Sequence, residues 1–310
     1  MMPVKLGIPK KSLLGISLLV GTSFFCFINY AQAVSISPLT FDISVNPGET
    51  VTNYITVFNN DNFKGAYVAE AEDFSAVGEQ GNVVIEKDAP AAISAKKWLS
   101  FEPETFEVES GGSKDIKFTL SVPLNADPGG KYSSILISSG PKTSEPGTVS
   151  LATKVASLLL IRVAGSVTEK LTVQSLEAPN FSEFGPINLV LKIKNEGTVH
   201  LKPAGFIVIK DWTGREVEKL SLPQQRIIPG TIRAIDTPWK ASWLFGKYTA
   251  NFAGIYGLAN DSLSASVSFW IIPWKMMSYA FLGLIILGLI LWSMRKRLLS
   301  AIKIILKGEA

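Results

Sequence analysis

The stretch Val51-Thr-Asn-Tyr-Ile-Thr-Val-Phe58 is rich in β-branched and aromatic residues and runs into a polar turn at 59–62. Residues of these types fit the pleated, half-buried surface of a β-strand. Similar runs recur at spacings near ten residues, with Gly, Pro, Asn and Asp between them. Many short strands at this spacing predict a β-sandwich or a β-barrel. The clearest further runs are residues 116–122, 132–138, 187–193 and 205–209.

The region between residues 34 and 270 contains no convincing long amphipathic helical pattern. Several of its runs alternate polar and apolar residues, which predicts sheets with one face in a core and the other in water. Asp211-Trp-Thr-Gly214 lies between two runs and predicts a hairpin turn, with Gly214 supplying a positive φ. The predicted fold class is therefore all-β.

A weak internal repeat predicts two tandem copies of one sandwich. Residues 55–61 (ITVFNND) resemble residues 191–197 (LKIKNEG), because each run is a strand that ends in Asn and a polar turn. The boundary is expected near Gly165, after an apolar strand. The predicted domains are residues 34–166 and 167–270.

Two shorter similarities support the repeat. Pro229-Gly-Thr231 is similar to Pro47-Gly-Glu49, and Gly246-Lys-Tyr248 is similar to Gly130-Lys-Tyr132. The two Gly-Lys-Tyr segments each begin a predicted strand. A Tyr in that position suits a tyrosine corner, in which the hydroxyl satisfies the backbone at a sheet edge.

The N-terminal segment has the order of a secretory signal. Three lysines precede the apolar stretch 12–28, which is followed by Ala31-Gln-Ala33. We predict a signal peptide at 1–33 and a mature N-terminus at Val34. The alternatives are an uncleaved signal anchor and a lipoprotein anchored through Cys26, although the latter has Phe where a lipobox needs small residues.

The C-terminal segment predicts one transmembrane helix at 276–294, where 19 residues carry no charge. Trp270 and Trp274 flank its outer end and Trp292 its inner end, as expected of interfacial aromatics. The basic tail at 295–310 is placed in the cytoplasm by the positive-inside rule. Its apolar residues predict a short helix lying on the inner leaflet. A buried core helix is the alternative for the span.

Charge and cysteine content exclude several classes of protein. Of the 30 Lys and Arg, three precede residue 34 and six follow residue 270, whereas one of the 26 acids follows residue 270. Residues 34–270 therefore carry a net charge of −4, which argues against a nucleic-acid partner. Cys26 is the one cysteine, so the mature chain forms no internal disulfide and offers no thiolate for zinc.

The opening of the first predicted domain resembles a known family. Ile36-Ser-Pro-Leu-Thr-Phe-Asp-Ile-Ser-Val-Asn-Pro-Gly-Glu-Thr50, followed by Ile55-Thr-Val-Phe-Asn-Asn60, is similar to the start of the WxL-interacting protein family, and residues 127–132 (DPGGKY) also fit. The resemblance covers 34–165. The second domain resembles generic bacterial immunoglobulin-like modules, including the CARDB type, through Lys194-Asn-Glu-Gly-Thr198.

The resemblance implies a signal peptide, two tandem immunoglobulin-like β-sandwiches, a transmembrane helix and a basic tail. It also implies interaction with the cell wall or the cell surface, with the first domain facing peptidoglycan. It assigns no binding residues.

Catalytic candidates are few. His200 is the one histidine, and no G-x-S-x-G nucleophile elbow accompanies it. One His and no Cys in the mature chain are too few ligands for a typical zinc or copper site. Ser94-Ala-Lys-Lys97 matches S-x-x-K, but the S-D-N and K-T-G motifs of penicillin-recognising enzymes are missing. We therefore predict no catalytic residues, no metal and no cofactor.

Paired carboxylates remain as candidates for glycoside hydrolysis. At i, i+2 on a strand they share one face, and a solvated sheet face explains them equally well. A pair of carboxyls about 5–9 Å apart in a cleft would favour an enzyme. The two pairs are Glu70/Glu72 and Glu102/Glu104.

Two further groups are candidates for binding. The run Asn59-Asn-Asp-Asn62 gathers oxygen ligands suited to calcium, with a polar turn as the alternative. Trp239 and Trp243 belong to an aromatic cluster with neighbouring Phe and Tyr, and serve either a ligand or a core. Trp212 lies at a predicted hairpin tip, where contact with a partner is easier.

The sequence predicts a non-enzymatic, single-pass membrane protein of a bacterial cell envelope, with its ectodomain outside and its C-terminus in the cytoplasm. The expected ligand is peptidoglycan or another wall polymer, or a surface protein. The alternatives are a glycan-acting envelope enzyme or its accessory subunit, and a purely structural spacer.

Overall fold

The computed structural model describes residues 34–87, 89–139, 153–240 and 244–307. The predicted signal peptide, including Cys26, lies outside the described residues. The described chain is built almost entirely from β-strands, followed by one long helix. The predicted all-β class is confirmed at this level.

Residues 34–163, here called the first β-unit, form two sheets. One has the strand order β1-β3-β8-β6, and the other has the order β2-β10-β9-β4-β5, with β7 also paired to β4. A short 3₁₀ helix at Lys96–Trp98 precedes β6. The strands are β1 (Ser35–Ser37), β2 (Thr40–Val45), β3 (Thr50–Phe58), β4 (Gly65–Val77), β5 (Asn82–Glu86), β6 (Leu99–Glu102), β7 (Thr105–Val108), β8 (Ser113–Ser121), β9 (Gly129–Ser139) and β10 (Lys154–Val163).

Residues 167–271, the second β-unit, repeat this plan with fewer strands. Their sheets have the orders β11-β13-β16 and β12-β18-β17-β14-β15. The segment between Val163 and Leu171 separates the units, and the predicted boundary at 166/167 falls within it. The strands are β11 (Leu171–Glu177), β12 (Phe181–Ser182), β13 (Ile187–Asn195), β14 (Ala204–Asp211), β15 (Glu216–Ser221), β16 (Ile232–Trp239), β17 (Gly246–Tyr256) and β18 (Asp261–Ile271).

Each unit is a sandwich because both of its sheets contribute to one apolar core. In the first unit, Ile55 and Phe118 from one sheet pack with Ile135 and Leu159 from the other, all fully buried. In the second unit, Leu191 and Ile235 belong to one sheet, whereas Ile209 and Phe252 belong to the other. Burial of large apolar side chains at about 1.5–3 kcal/mol each is the main stabilising term of both cores.

The predicted repeat between 55–61 and 191–197 is confirmed by two buried asparagines. The amide nitrogen of Asn59 donates to the carbonyls of Phe63 at 2.9 Å and Val108 at 3.0 Å. The amide nitrogen of Asn195 donates to the carbonyls of Val199 at 2.9 Å and Ile227 at 2.7 Å. In each case the side-chain oxygen accepts from the backbone N–H two residues later. Both side chains are 0% exposed.

The same equivalence corrects the Pro-Gly similarity. Gly230 donates its backbone N–H to the carbonyl of Asn195, and Gly111 donates in the same way to Asn59, both at 2.9 Å. Pro229-Gly-Thr231 is thus equivalent to the turn at Gly111, before β8, and not to Pro47-Gly-Glu49, before β3. Prolines mark turns in many positions, so the shared dipeptide misaligned the repeat.

The tyrosine-corner prediction holds in one unit only. The Tyr248 hydroxyl donates to the carbonyl of Phe245 at 3.4 Å, and its ring lies in the core. Tyr132 is offset by one residue along the equivalent strand. Tyr132 lies three residues after the first residue of β9, Gly129, whereas Tyr248 lies two residues after the first residue of β17, Gly246. A one-residue offset turns a side chain to the opposite face. Tyr132 therefore leaves the first core and faces the second unit.

The helix α1 (Trp274–Lys307) follows β18 after two residues. Within the described residues it contains the one segment long and apolar enough to cross a membrane, Trp274–Arg295, with mean hydropathy 2.0 and no buried part. The predicted span at 276–294 lies inside it. The tail, predicted as a short helix on the inner leaflet, is helical as the continuation of α1, which runs without interruption to Lys307. Neither Gly nor Pro occurs at 295–306 to end a helix.

We predict that Asn195→Ala destabilises the protein by at least about 2 kcal/mol, since each buried backbone group left unpaired costs about 1–3 kcal/mol. Asn59→Ala should behave alike. Asn188 is the control, because its exposed amide donates to the exposed side chain of Asp236 at 3.2 Å and to no backbone carbonyl of the described residues. Urea unfolding of the full chain in detergent measures the effect, and equal losses for Asn188→Ala and Asn195→Ala would contradict it.

Candidate functional site

A cleft of about 270 Å³ lies where the two β-units meet. Apolar side chains of the first unit form its floor, with Phe74 and Leu160 almost fully buried. Ile228 of the second unit packs against the same cluster. The polar part of the lining comes mainly from the second unit: Gln224, Gln225, Arg226, Thr231 and Arg233. We call this space the inter-unit cleft.

Arg233 gives the inter-unit cleft its chemical character. It is partly buried, and its Nε donates to the side-chain oxygen of Gln225 at 2.7 Å. Among the described residues, no ion pair involves Arg233 and burial alone lowers its pKa. A guanidinium presents five donors in a planar fork, so one neutral acceptor leaves most of them for another group. The site fits an anion such as a carboxylate.

The β4–β5 hairpin holds Arg233 in place from the first unit. Gly81 at its tip has φ +64°, and Nη1 of Arg233 occupies the position where a Cβ on residue 81 would lie. The backbone carbonyl of Glu79 accepts from the backbone N–H of Ala234 at 2.7 Å. The side-chain carboxylate of Glu79 pairs with Lys192 at 3.0 Å. The hairpin therefore joins the units beside the inter-unit cleft.

Strand β5 is an open edge next to the inter-unit cleft. It ends the sheet order of the first unit and pairs only with β4 among the described strands. Val83 lines the cleft, and Val83, Val84 and Ile85 are each 37–43% exposed. An exposed apolar edge is a template for a further strand, and proteins that avoid self-association usually protect such edges with charge.

A cluster of polar side chains forms the other side of the junction. Asp42 of the first unit accepts from Nε of Arg226 at 2.7 Å and lies 3.0 Å from Nε2 of His200. The His200 Nδ1 lies 3.5 Å from the Tyr132 hydroxyl. Burial raises the pKa of Tyr132 well above its ordinary range. Burial likewise lowers the pKa of His200, although Asp42 opposes the shift.

The cluster does not form a catalytic relay. The group against His200 Nδ1 is a buried phenol that stays protonated, and no serine hydroxyl contacts His200 in the described residues. The described residues also contain no group of three or more His, Cys, Asp or Glu that would hold a metal ion. The cluster acts as a polar joint between the units.

The structure separates the predicted tryptophan candidates. Trp239 takes the core alternative, because it is 2% exposed and packs edge-on against Tyr248 and Phe269. Trp212 is 75% exposed at the β14–β15 turn, far along the sheet from the inter-unit cleft. Trp243 lies outside the described residues.

The predicted S-x-x-K motif is a structural turn. Ser94 donates its hydroxyl to the Asp73 carboxylate at 2.5 Å, and the backbone N–H groups of Ala95 and Lys96 donate to the other oxygen. Lys97 is exposed to solvent. The buried Asp73 thus fastens the 3₁₀ helix to β4.

The candidate carboxylates and calcium ligands also have structural partners. Glu72 pairs with Lys96 at 3.1 Å, and Glu102 pairs with Lys117 at 2.9 Å, both on sheet surfaces. No carboxylate is among the described residues that line the inter-unit cleft. Asn59 has its amide committed to backbone carbonyls, which supports the polar-turn alternative at 59–62.

A second groove lies on the outer face of the second unit. It measures about 550 Å³ and is mainly apolar, with Phe206 and Ile255 on its sides. Gly205 and Gly254 pair across β14 and β17 beneath it. It offers no charged side chain, so it lacks the chemical selectivity of the inter-unit cleft.

Sequence reasoning missed Arg226 and Arg233. Nothing local distinguishes Arg233 from any arginine on a strand, because its partner Gly81 lies about 150 residues earlier. The alternation of β16 does place residue 233 away from the buried Ala234. That signal indicates exposure, not a cleft, and so it could not identify the site.

Comparison with known proteins identifies no family. No family model matches the chain, and no curated protein matches it. Similar solved structures include the class 5 fimbriae chaperone CfaA, at 12% identity and TM-score 0.39, covering 78% of this chain and 100% of that chain. The E. coli chaperone DraB has 15% identity and TM-score 0.37, with coverages of 78% and 98%. The ASH/PapD-like domain of human CEP192 has 15% identity and TM-score 0.31, and the match covers 54% of this chain and 99% of that chain.

The resemblance to the WxL-interacting protein family stays a prediction.

We predict that His200 makes the stability of the protein depend on pH. Its pKa is lowered in the folded state, so the unfolded chain takes up the proton first as pH falls below about 6.5. The stabilisation is complete above that pH and declines as pH falls toward the folded-state pKa. His200→Gln should reduce the change of the thermal unfolding midpoint with pH between about pH 7 and pH 5. Since His200 is the one histidine, identical slopes for both proteins would contradict the prediction.

Proposed function

We propose that the chain is a non-enzymatic, membrane-anchored binding protein of the bacterial cell envelope, with two tandem immunoglobulin-like units that hold a surface protein at the inter-unit cleft. The observation that carries the proposal is the partly buried Arg233, which has no acidic partner in the described part of the chain. A partly desolvated guanidinium without a counter-charge is costly, and an anionic group of a partner reduces that cost.

The anchor is the helix α1. Its apolar segment Trp274–Arg295 has the length and composition of a membrane span. Three basic residues, 295–297, follow the apolar part, and the positive-inside rule then places the C-terminus in the cytoplasm. The β-units stand outside the membrane in this proposal.

A polypeptide fits the site better than a wall glycan. The open edge of β5 offers backbone N–H and C=O groups, which pair with an extended peptide by strand addition. Val83 belongs both to this edge and to the inter-unit cleft, so one extended segment reaches both. The apolar floor with Phe74 suits a hydrophobic side chain next to the anionic group. Membership of the WxL-interacting protein family is part of the proposal.

The alternatives from the sequence meet specific difficulties. A glycan-acting enzyme needs two carboxyls about 5–9.5 Å apart beside its substrate, and the lining of the inter-unit cleft contains none. A pure spacer has no use for an uncompensated charge at its joint. A wall polymer carrying acidic groups remains a competing partner, which the experiment includes.

We predict that Arg233→Gln weakens partner binding about tenfold or more, because a hydrogen bond to a charged group contributes about 1.5–3 kcal/mol. The full chain is immobilised in detergent and offered solubilised surface proteins and, separately, isolated cell walls. Arg215→Gln is the matched control, since Arg215 is 79% exposed and lies at the distant β14–β15 turn.

Saturable retention of one surface protein by the wild type and by Arg215→Gln, but not by Arg233→Gln, supports the proposal. A photocrosslinker in place of Val84 should then link to that protein. Retention on walls alone makes a polymer the partner. Equal binding by both arginine variants removes the inter-unit cleft as the site.

A further inference from the structure

The connection between the second β-unit and α1 is short and fastened. Strand β18 ends at Ile271, and the backbone N–H of Ile272 donates to the carbonyl of Ser182 at 3.0 Å. The carboxylate of Glu183 accepts from the backbone N–H of Lys275 at 3.2 Å and pairs with its ammonium group at 2.7 Å. The side chain of Glu183 is only 15% exposed. The helix therefore leaves the unit in a defined direction.

Exposed aromatic side chains gather at this end of the unit. Phe181 lies opposite Trp270 in the pairing of β12 with β18, and Gly246 lies opposite Ile271. The ring of Trp212 comes within 3.3 Å of where a Cβ on Gly246 would lie, which places the β14–β15 turn at the same end. The exposed fractions are 75% for Trp212, 63% for Phe245, 52% for Trp274, 49% for Trp270 and 48% for Phe181.

We call these five side chains the aromatic rim. They come from the β14–β15 turn, the approach to β17, strand β12, the end of β18 and the start of α1. Single exposed apolar residues are ordinary on protein surfaces, but several large exposed aromatics at one end of a unit are typical of an interaction surface. The remaining outer face of β18 is polar, since Ser262, Ser264, Ser266 and Ser268 are exposed there.

The distribution of tryptophan points to the partner. Among the described tryptophans, Trp239 is buried in the second core and Trp98 packs partly buried against the first, whereas the exposed ones are three members of the aromatic rim and Trp292 in α1. Tryptophan concentrates at the boundary between hydrocarbon and water, where its apolar ring and polar N–H are both accommodated. Rim tryptophans and Trp292 lie toward opposite ends of the apolar segment of α1.

We propose that the aromatic rim rests in the interfacial layer of the same bilayer that α1 spans, on the side of the β-units. This inference rests on the proposed membrane span. Two residues separate β18 from α1, so a membrane around the helix lies against this end of the unit. Lys247, opposite Trp270 in the sheet, supplies a cation for lipid phosphates. The contact fixes the tilt of the second unit on the membrane.

The test uses nitroxide spin labels on the full chain in vesicles of phosphatidylcholine and phosphatidylglycerol. Labels replace Trp212 or Lys247 as cysteine variants in a Cys26→Ser background, and Lys247→Cys keeps all five rim aromatics. Leu124→Cys, at an 87% exposed site of the first unit, is the aqueous reference. Leu284→Cys, in the middle of the apolar segment, is the lipid reference. Collision rates with oxygen and with a water-soluble nickel complex measure depth.

We expect the oxygen-to-nickel ratio at 212 and 247 to shift from the Leu124 value toward the Leu284 value. A ratio at both sites equal to that at Leu124 overturns the aromatic rim as a membrane contact. Low collision rates with both reagents also overturn it, because they indicate burial against protein. If Leu284 itself gives the aqueous value, the membrane span fails, and that failure is distinct from failure of the rim alone.

Discussion

Each β-unit depends on one buried asparagine that closes the end of a central strand. Asn59 and Asn195 both donate to a carbonyl four residues later and to a second carbonyl that precedes the next strand of the sheet. An apolar residue in place of either Asn removes these hydrogen bonds from a buried site, which is costly. The turn, the strand register and the position of the following strand are set by this one side chain.

The two units use the same plan differently because of a one-residue offset. Tyr248 points into its own core, whereas Tyr132 points out of its core and meets His200 across the junction. Strand β9 is consequently buried on both faces, with Ile135 in the first core and Tyr132 beneath the second unit. The outer face of β17 is exposed to solvent in the second unit, whereas the equivalent face of β9 in the first unit is covered by protein. The offset thereby converts a repeated sandwich into one with a docking face.

Periodicity, turn residues and the apolar C-terminal run were sufficient to predict an all-β chain followed by one helix. The repeat around Asn59 and Asn195 could also be found, because the asparagine acts on residues close to it in sequence. The inter-unit cleft could not, since Arg233 and Gly81 meet only after both units have folded and docked. The misplaced Pro229-Gly-Thr231 shows the same limit, because turn composition does not identify which turn is meant.

The junction combines two kinds of contact with different consequences. On one side, Asp42 neutralises Arg226, and the pair serves to hold the units together. On the other side, Arg233 contacts the neutral side chain of Gln225 and the glycine at the hairpin tip, and no described carboxylate pairs with it. If both arginines served the joint alone, a second carboxylate opposite Arg233 would stabilise it more than Gln225 does. The difference between the two arginines is therefore best explained by an anionic group that a partner brings to the cleft.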